Sequence, residues 1–180
     1  MHSQPACRIT LTDYDTAVTA NLASAIASLP PSSAAADIAT LDFRDFEPSA
    51  PRSVDEPMPP TAALPAQYSD MLASIDLIIA ADVVYEQSHC ALAQVVCALL
   101  APAPAHATWE PRAIFVLPDS RPRLRAFCDS LRDAGLECEI QACTPSPAMA
   151  KSLRRSHEGW GSGGATFSLY TVTRRPLVSV

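Results

Sequence analysis

Asp13 and Asp82 each close a β-branched or apolar run, Arg8-Ile-Thr-Leu-Thr12 before the first and Ser74-Ile-Asp-Leu-Ile-Ile-Ala-Ala81 before the second, and Tyr85 follows Asp82 by three residues. Ligands of open α/β sheets sit beyond the carboxyl ends of the strands, so acids in these positions are the first residues to inspect for chemistry. An acid after a strand can accept hydrogen bonds from both hydroxyls of a nucleoside ribose. Asp13, or Asp15 beside it, can equally cap the helix that follows, and the pattern supports both roles. Asp82 is a carboxylate backed by apolar strand, which suits a site group or a turn residue. Tyr85 is either the wall of a site or a packed aromatic whose hydroxyl is satisfied.

The remaining reactive residues fall into no pattern that carries chemistry. His2, His89, His106 and His157 show no ligand spacing, and His157-Glu158 stands alone as an acid-base pair. The six cysteines contain no C-x-x-C, so neither a zinc cage nor a redox motif is written, and small buried hydrophobes are expected of them. Trp160-Gly-Ser-Gly-Gly164 precedes a strand, whereas a phosphate-cradling loop follows a strand and opens a helix, so a flexible connection is expected there. No G-x-S-x-G or P-loop string occurs, which removes serine hydrolase and nucleoside triphosphatase chemistries.

The elements that must position these residues are legible from punctuation. Arg8 to Thr12 reads as a buried strand. Val18, Leu22, Ala25, Ile26 and Leu29 fall at helical spacing between an N-cap at Asp15 or Thr16 and the stop at Pro30-Pro31. Asp37 to Phe43 is a second strand. Ser74 to Asp82 is nearly continuous in apolar residues, the pattern of a strand covered on both faces, and is expected at the centre of a parallel sheet. Leu92, Val95, Val96, Leu99 and Leu100 make an amphipathic helix stopped by Pro102 and Pro104. Arg112 to Leu117 is a further strand. A helix capped by Ser120 follows, with Leu124, Phe127 and Leu131 inward and Gly135 as its left-handed C-terminal cap. Leu136 to Ala142 and Ala165 to Thr173 close the series, two strands with no helix pattern between them.

Alternation of strand and helix ending this way describes an α/β sheet, mostly parallel, whose final strand runs antiparallel. The 180 residues suit one domain, with Pro-rich flexible insertions at about 44–66 and 101–111. A hydrophobic fraction of 48% against 18% charged predicts a packed core rather than disorder. The net charge of -6 offers no attraction to phosphate, so no nucleic-acid partner is expected. No apolar run reaches the roughly 20 residues of a membrane helix, and the start of the chain lacks the signature of a signal peptide. A monomer in the cytoplasm, or also the nucleus, with no membrane partner is the resulting expectation.

The segments Ile9-Thr-Leu-Thr-Asp-Tyr-Asp15 with Asn21-Leu22, Leu41-Asp42-Phe43 and Asp76-Leu-Ile-Ile-Ala-Ala-Asp-Val-Val-Tyr85, in this order, resemble the family-16 lysine methyltransferases. These are seven-strand, S-adenosylmethionine-dependent protein-lysine methyltransferases of the methyltransferase-like 21 type. The D-x-x-Y tetrad Asp82 to Tyr85 is the most specific match, and the likeness runs from Ile9 to Arg174. It implies a Rossmann-like three-layer αβα sheet. Asp13 would hold the cofactor ribose, Phe43 would stand beside the adenine where the family usually has Trp, and Ala81 would line the cofactor pocket. Asp82 and Tyr85 would face the amine of a lysine on a protein substrate, whose identity the sequence does not carry.

One part of the family pattern is missing. Its members carry a first strand and a glycine-rich loop ahead of the T-D strand, and here seven residues precede Arg8, where a βαβ unit needs about 30. An incomplete domain is therefore expected, with two apolar strand edges unpaired in the middle of the sheet. Two other functions share these residues: a non-catalytic methyltransferase-like module that binds a partner, and a nicotinamide-dependent oxidoreductase, whose ribose is also read by an acid after a strand.

Overall fold

The computed structural model describes residues 8–28, 35–46, 68, 75–84, 89–100, 110–143 and 166–174. The chain divides into two compact units, Met1–Asp45 and Phe46–Val180. Their described parts are mixed α/β, with six strands in two sheets and three α-helices.

In the first unit β1 (Arg8–Asp13) runs parallel to β2 (Ala35–Thr40), from Arg8 opposite Ala35 to Asp13 opposite Thr40. They are joined through α1 (Thr16–Ala27), the crossover that a parallel pair requires. Asp15 caps α1 by accepting from the Ala17 amide at 2.7 Å, which settles which of the two acids does so. The expectation of a buried strand at Arg8 to Thr12 is corrected: Ile9 is 44% exposed, and no residue of α1 is buried. Among the described residues of this unit they have one neighbouring strand and one helix beside them.

The second unit holds a four-stranded sheet in the order β3-β4-β6-β5. β3 (Leu77–Ala81) is parallel to β4 (Arg112–Pro118), and β6 (Phe167–Arg174) is antiparallel to β4 and to β5 (Leu136–Cys143). The expected antiparallel final strand is thus present. On one face Ala113, Phe115 and Leu117 of β4 stand with Tyr170 and Val172 of β6, all buried. Against them pack α2 (His89–Leu99), buried along most of its length, and α3 (Leu124–Asp133), which contributes Phe127 and Leu131. Phe115 and Phe127 meet edge to face with centroids 5.5 Å apart, the arrangement that ring quadrupoles favour.

Two expectations about this unit fail. The apolar run ending at Asp82 is an edge strand, paired on one side only among the described residues, with Ile79 72% exposed and Leu77 47%. Continuous apolar composition shows that a strand can be covered on both faces, not that it is. The helix after β4 begins at Leu124, and its cap position is Arg123 in the left-handed conformation with no side-chain bond, in place of a cap at Ser120. Gly135 does close α3, at φ +78 with its amide donating to the Arg132 carbonyl at 2.9 Å. The Arg174 guanidinium donates to the carbonyls of Cys97, at 2.6 Å, and Leu100, satisfying the acceptors that the end of α2 leaves open.

The insertion at about 44–66 lies outside the described residues beyond Phe46, and the one at 101–111 does so as far as residue 109. Trp160 to Gly164 and His157 lie outside them as well. Among the described residues, no helix is long and apolar enough to cross a membrane.

Candidate functional site

Asp82 is placed by the parallel pairing of β3 and β4. Ala81 stands opposite Val116, and the Asp82 amide continues the ladder by donating to the Val116 carbonyl at 3.0 Å. There the strand stops, because Asp82 takes φ +51, a left-handed conformation that few non-glycine residues adopt. Beyond β4 the chain turns, the Arg121 amide donating to the Pro118 carbonyl at 3.0 Å. That turn returns the Arg121 guanidinium to Asp82, where Nε and Nη2 donate to the two carboxylate oxygens at 2.6 Å each. The pair is partly open to solvent, with the Asp82 side chain 39% exposed and that of Arg121 31%.

This bidentate fork does two things chemically. It fixes the plane of the carboxylate, and it balances the carboxylate's charge while leaving a second lone pair on each oxygen. An amine or hydroxyl approaching Asp82 meets an oriented, neutralised acceptor rather than a free anion. Arg121 was not among the residues singled out by sequence. Its only signal was its position just past a strand that neighbours the one ending in Asp82. Ala81 is exposed at the end of β3, and Tyr85 lies outside the described residues.

Asp13 and Phe43 belong to the first unit. Asp13 ends β1 opposite Thr40, its carbonyl accepts from the Leu41 amide at 3.0 Å, and its Oδ1 accepts from the Asp15 amide at 2.9 Å. One carboxylate oxygen is thereby committed to the turn into α1. The other oxygen has no hydrogen-bond partner among the described residues. Phe43 opens a 3-10 turn, Phe43–Phe46, directly after the close of β2. Beside it the Asp42 carboxyl is held below the usual carboxylate range, chiefly by its hydrogen bonds with the Arg44 side chain.

The cysteines depart from the expectation of buried hydrophobes. Among those described only Cys97 is buried, and burial pushes its thiol up. Cys90 is exposed, its Sγ 3.4 Å from Ser130 Oγ, and Cys128, Cys138 and Cys143 are half-buried. Among the described residues, no group of three or more His, Cys, Asp or Glu side chains could hold a metal. Of five glycines only Gly135 is described, and it ends a helix rather than cradling a ligand. No protein-family model matches this chain, and no curated protein does.

Proposed function

We propose that the chain is a methyltransferase-type α/β domain of the S-adenosylmethionine-dependent, protein-lysine-methylating kind. In this reading the residues that take the cofactor are Asp13, Phe43 and Ala81, and those that take the acceptor amine are Asp82 and Tyr85. The observation that carries it is the carboxyl end of β3, where Asp82 leaves the strand in a left-handed turn and is gripped by Arg121, in a sheet whose final strand is antiparallel. A strand-terminal acid of the D-x-x-Y tetrad is what the resemblance implies, and the antiparallel closing strand is what the alternation of strand and helix implies.

The cofactor supplies a methyl group on a sulfonium, which transfers by in-line displacement. The protein's part is to align a neutral amine rather than to provide a nucleophile. Asp82 would accept a hydrogen of that amine through a free lone pair, while Arg121 acts as a positioning residue that holds the carboxylate plane. Asp13 would accept from a ribose hydroxyl, and the Phe43 ring would cover the adenine.

The second reading is a non-catalytic module of the same fold that binds a protein partner. The apolar edge of β3, paired on one side only among the described residues, favours it, because Leu77 and Ile79 offer a strand and apolar side chains to another chain. Calorimetric titration of the full 180-residue chain with S-adenosylmethionine and S-adenosylhomocysteine separates the two. Saturable binding supports the first reading, and no heat with either ligand rejects it for this chain.

A further inference from the structure

We propose that the open face of the β3-β4-β6-β5 sheet docks an amphipathic helix of a protein partner, apolar along one side and basic along the flank that meets β5. The two faces of this sheet differ in how they are covered. Ala113, Phe115 and Leu117 of β4 and Tyr170 and Val172 of β6 are buried under α2 and α3. Ile114 and Val116 on β4 and Leu169, Thr171 and Thr173 on β6, which alternate with them, are not buried, and neither is any residue of β3. An apolar sheet face is matched by a second layer, as the other face is by its two helices.

Register sorts the open face into two halves. Leu77 and Ile79 stand beside Arg112 and Ile114, and Val116 stands beside Leu169, so the β3 side is an apolar stripe with Arg112 at one end. The stripe is about two strand spacings wide, roughly 10 Å, which is the diameter of one helix. The β5 side is acidic. Glu137 stands opposite Thr173 and Glu139 opposite Thr171, and these four residues line a cavity of about 190 Å³ with Cys138 between the glutamates. Both glutamates are exposed. β4 and β5 are two places apart in the sheet, again about 10 Å, so a Lys or Arg on the flank of a helix seated on the stripe reaches them.

Charge decides between occupants. Two copies of the chain meeting face to face about a two-fold axis lay stripe on stripe only by laying β5 on β5, which sets Glu137 and Glu139 against the same residues of the other copy. The other two-fold lays β5 on β3 and presses the acids onto Leu77 and Ile79. Like charges or unpaired carboxylates at an interface cost free energy, whereas a basic flank pairs with them. A single helix also matches the one-sided layout, since β3 ends the sheet and leaves only the β5 side to carry charge. The surface needs no cofactor, so the inference stands apart from the methyl-transfer reading.

The test titrates the full chain with a fluorescent peptide of leucine, alanine and lysine, about four helical turns long, with the leucines on one face and the lysines along one flank. One control peptide has the same composition in scrambled order, and another has glutamate for every lysine. The expected result is saturable binding of the basic amphipathic peptide, about tenfold or more tighter than either control. Ile79→Lys, at a largely exposed position, should weaken that binding about tenfold. Glu137→Lys combined with Glu139→Lys should reverse the preference in favour of the glutamate peptide. Binding that is indifferent to the order and charge of the peptide, or equal in parent and variants, overturns the proposal. Protection of Leu77 and Leu169 from hydroxyl radicals in the chain without peptide overturns it too: in a dimer by sedimentation velocity the occupant is a second copy, and in a monomer it is the chain itself.

Discussion

Asp82 and Arg121 are joined by two parallel hydrogen bonds of 2.6 Å across 39 residues of sequence, and the carboxylate so held belongs to a residue at φ +51. The side-chain pair and the backbone strain are separable by substitution. A partly exposed pair of this kind contributes on the order of 0–1 kcal/mol, and Asp82→Ala and Asp82→Gly both remove it. Only alanine keeps the Cβ that opposes the left-handed conformation, while glycine adds entropy to the unfolded chain. The glycine variant is therefore expected to be the more stable by about 0.5–1 kcal/mol in urea denaturation. An alanine variant as stable as the glycine one would mean that the backbone at Asp82 is not strained.

Asp13 and Asp15 sit two residues apart and do different work, which stability and ligand binding can tell apart. Asp15 carries the cap of α1, so Asp15→Ala should lower stability by about 1 kcal/mol. Asp13 accepts one amide in an exposed turn, and Asp13→Ala should cost less than that. If the chain binds S-adenosylmethionine, Asp13→Ala should raise the Kd several-fold while Asp15→Ala leaves it nearly unchanged. The reverse order in calorimetry would move the ribose acid from Asp13 to Asp15.

Local chemistry in the sequence located most elements, and tertiary chemistry decided the rest. The strands ending at Asp13, Ala81 and Pro118 were legible because acids and turn residues stop β-branched or apolar runs, and Gly135 because a helix end needs a left-handed residue. Ser120 looked like a helix cap, yet Arg121 is drawn across to Asp82, and the chain takes a further turn through Arg123 before α3 can start. Arg121 was hidden because its partner is set by which strands are neighbours.

The outer edge of β3 is a surface that a free chain has reason to cover. Ile79 is 72% exposed and Leu77 47%, beside backbone groups with no strand partner on that side among the described residues. Unprotected apolar edges of this kind pair with other chains. Ile79→Lys gives up little burial, so stability should stay within about 0.5 kcal/mol of the parent. If the parent chain self-associates in sedimentation velocity, that association should fall. Unchanged association would show that the β3 edge is not the surface involved.

Gly135 offers a clean measurement of backbone strain, because a Cβ built there meets nothing within 4 Å while φ stands at +78. Any loss in Gly135→Ala therefore comes from the left-handed conformation and not from a clash. The Cβ penalty of about 1–2 kcal/mol is offset in part by the lower entropy of alanine in the unfolded chain. The expected net cost is about 1 kcal/mol by urea denaturation. Gly135→Asn should cost less than Gly135→Ala, since asparagine enters this conformation more readily. Equal stability of the two variants would mean that the turn does not depend on a left-handed residue at 135.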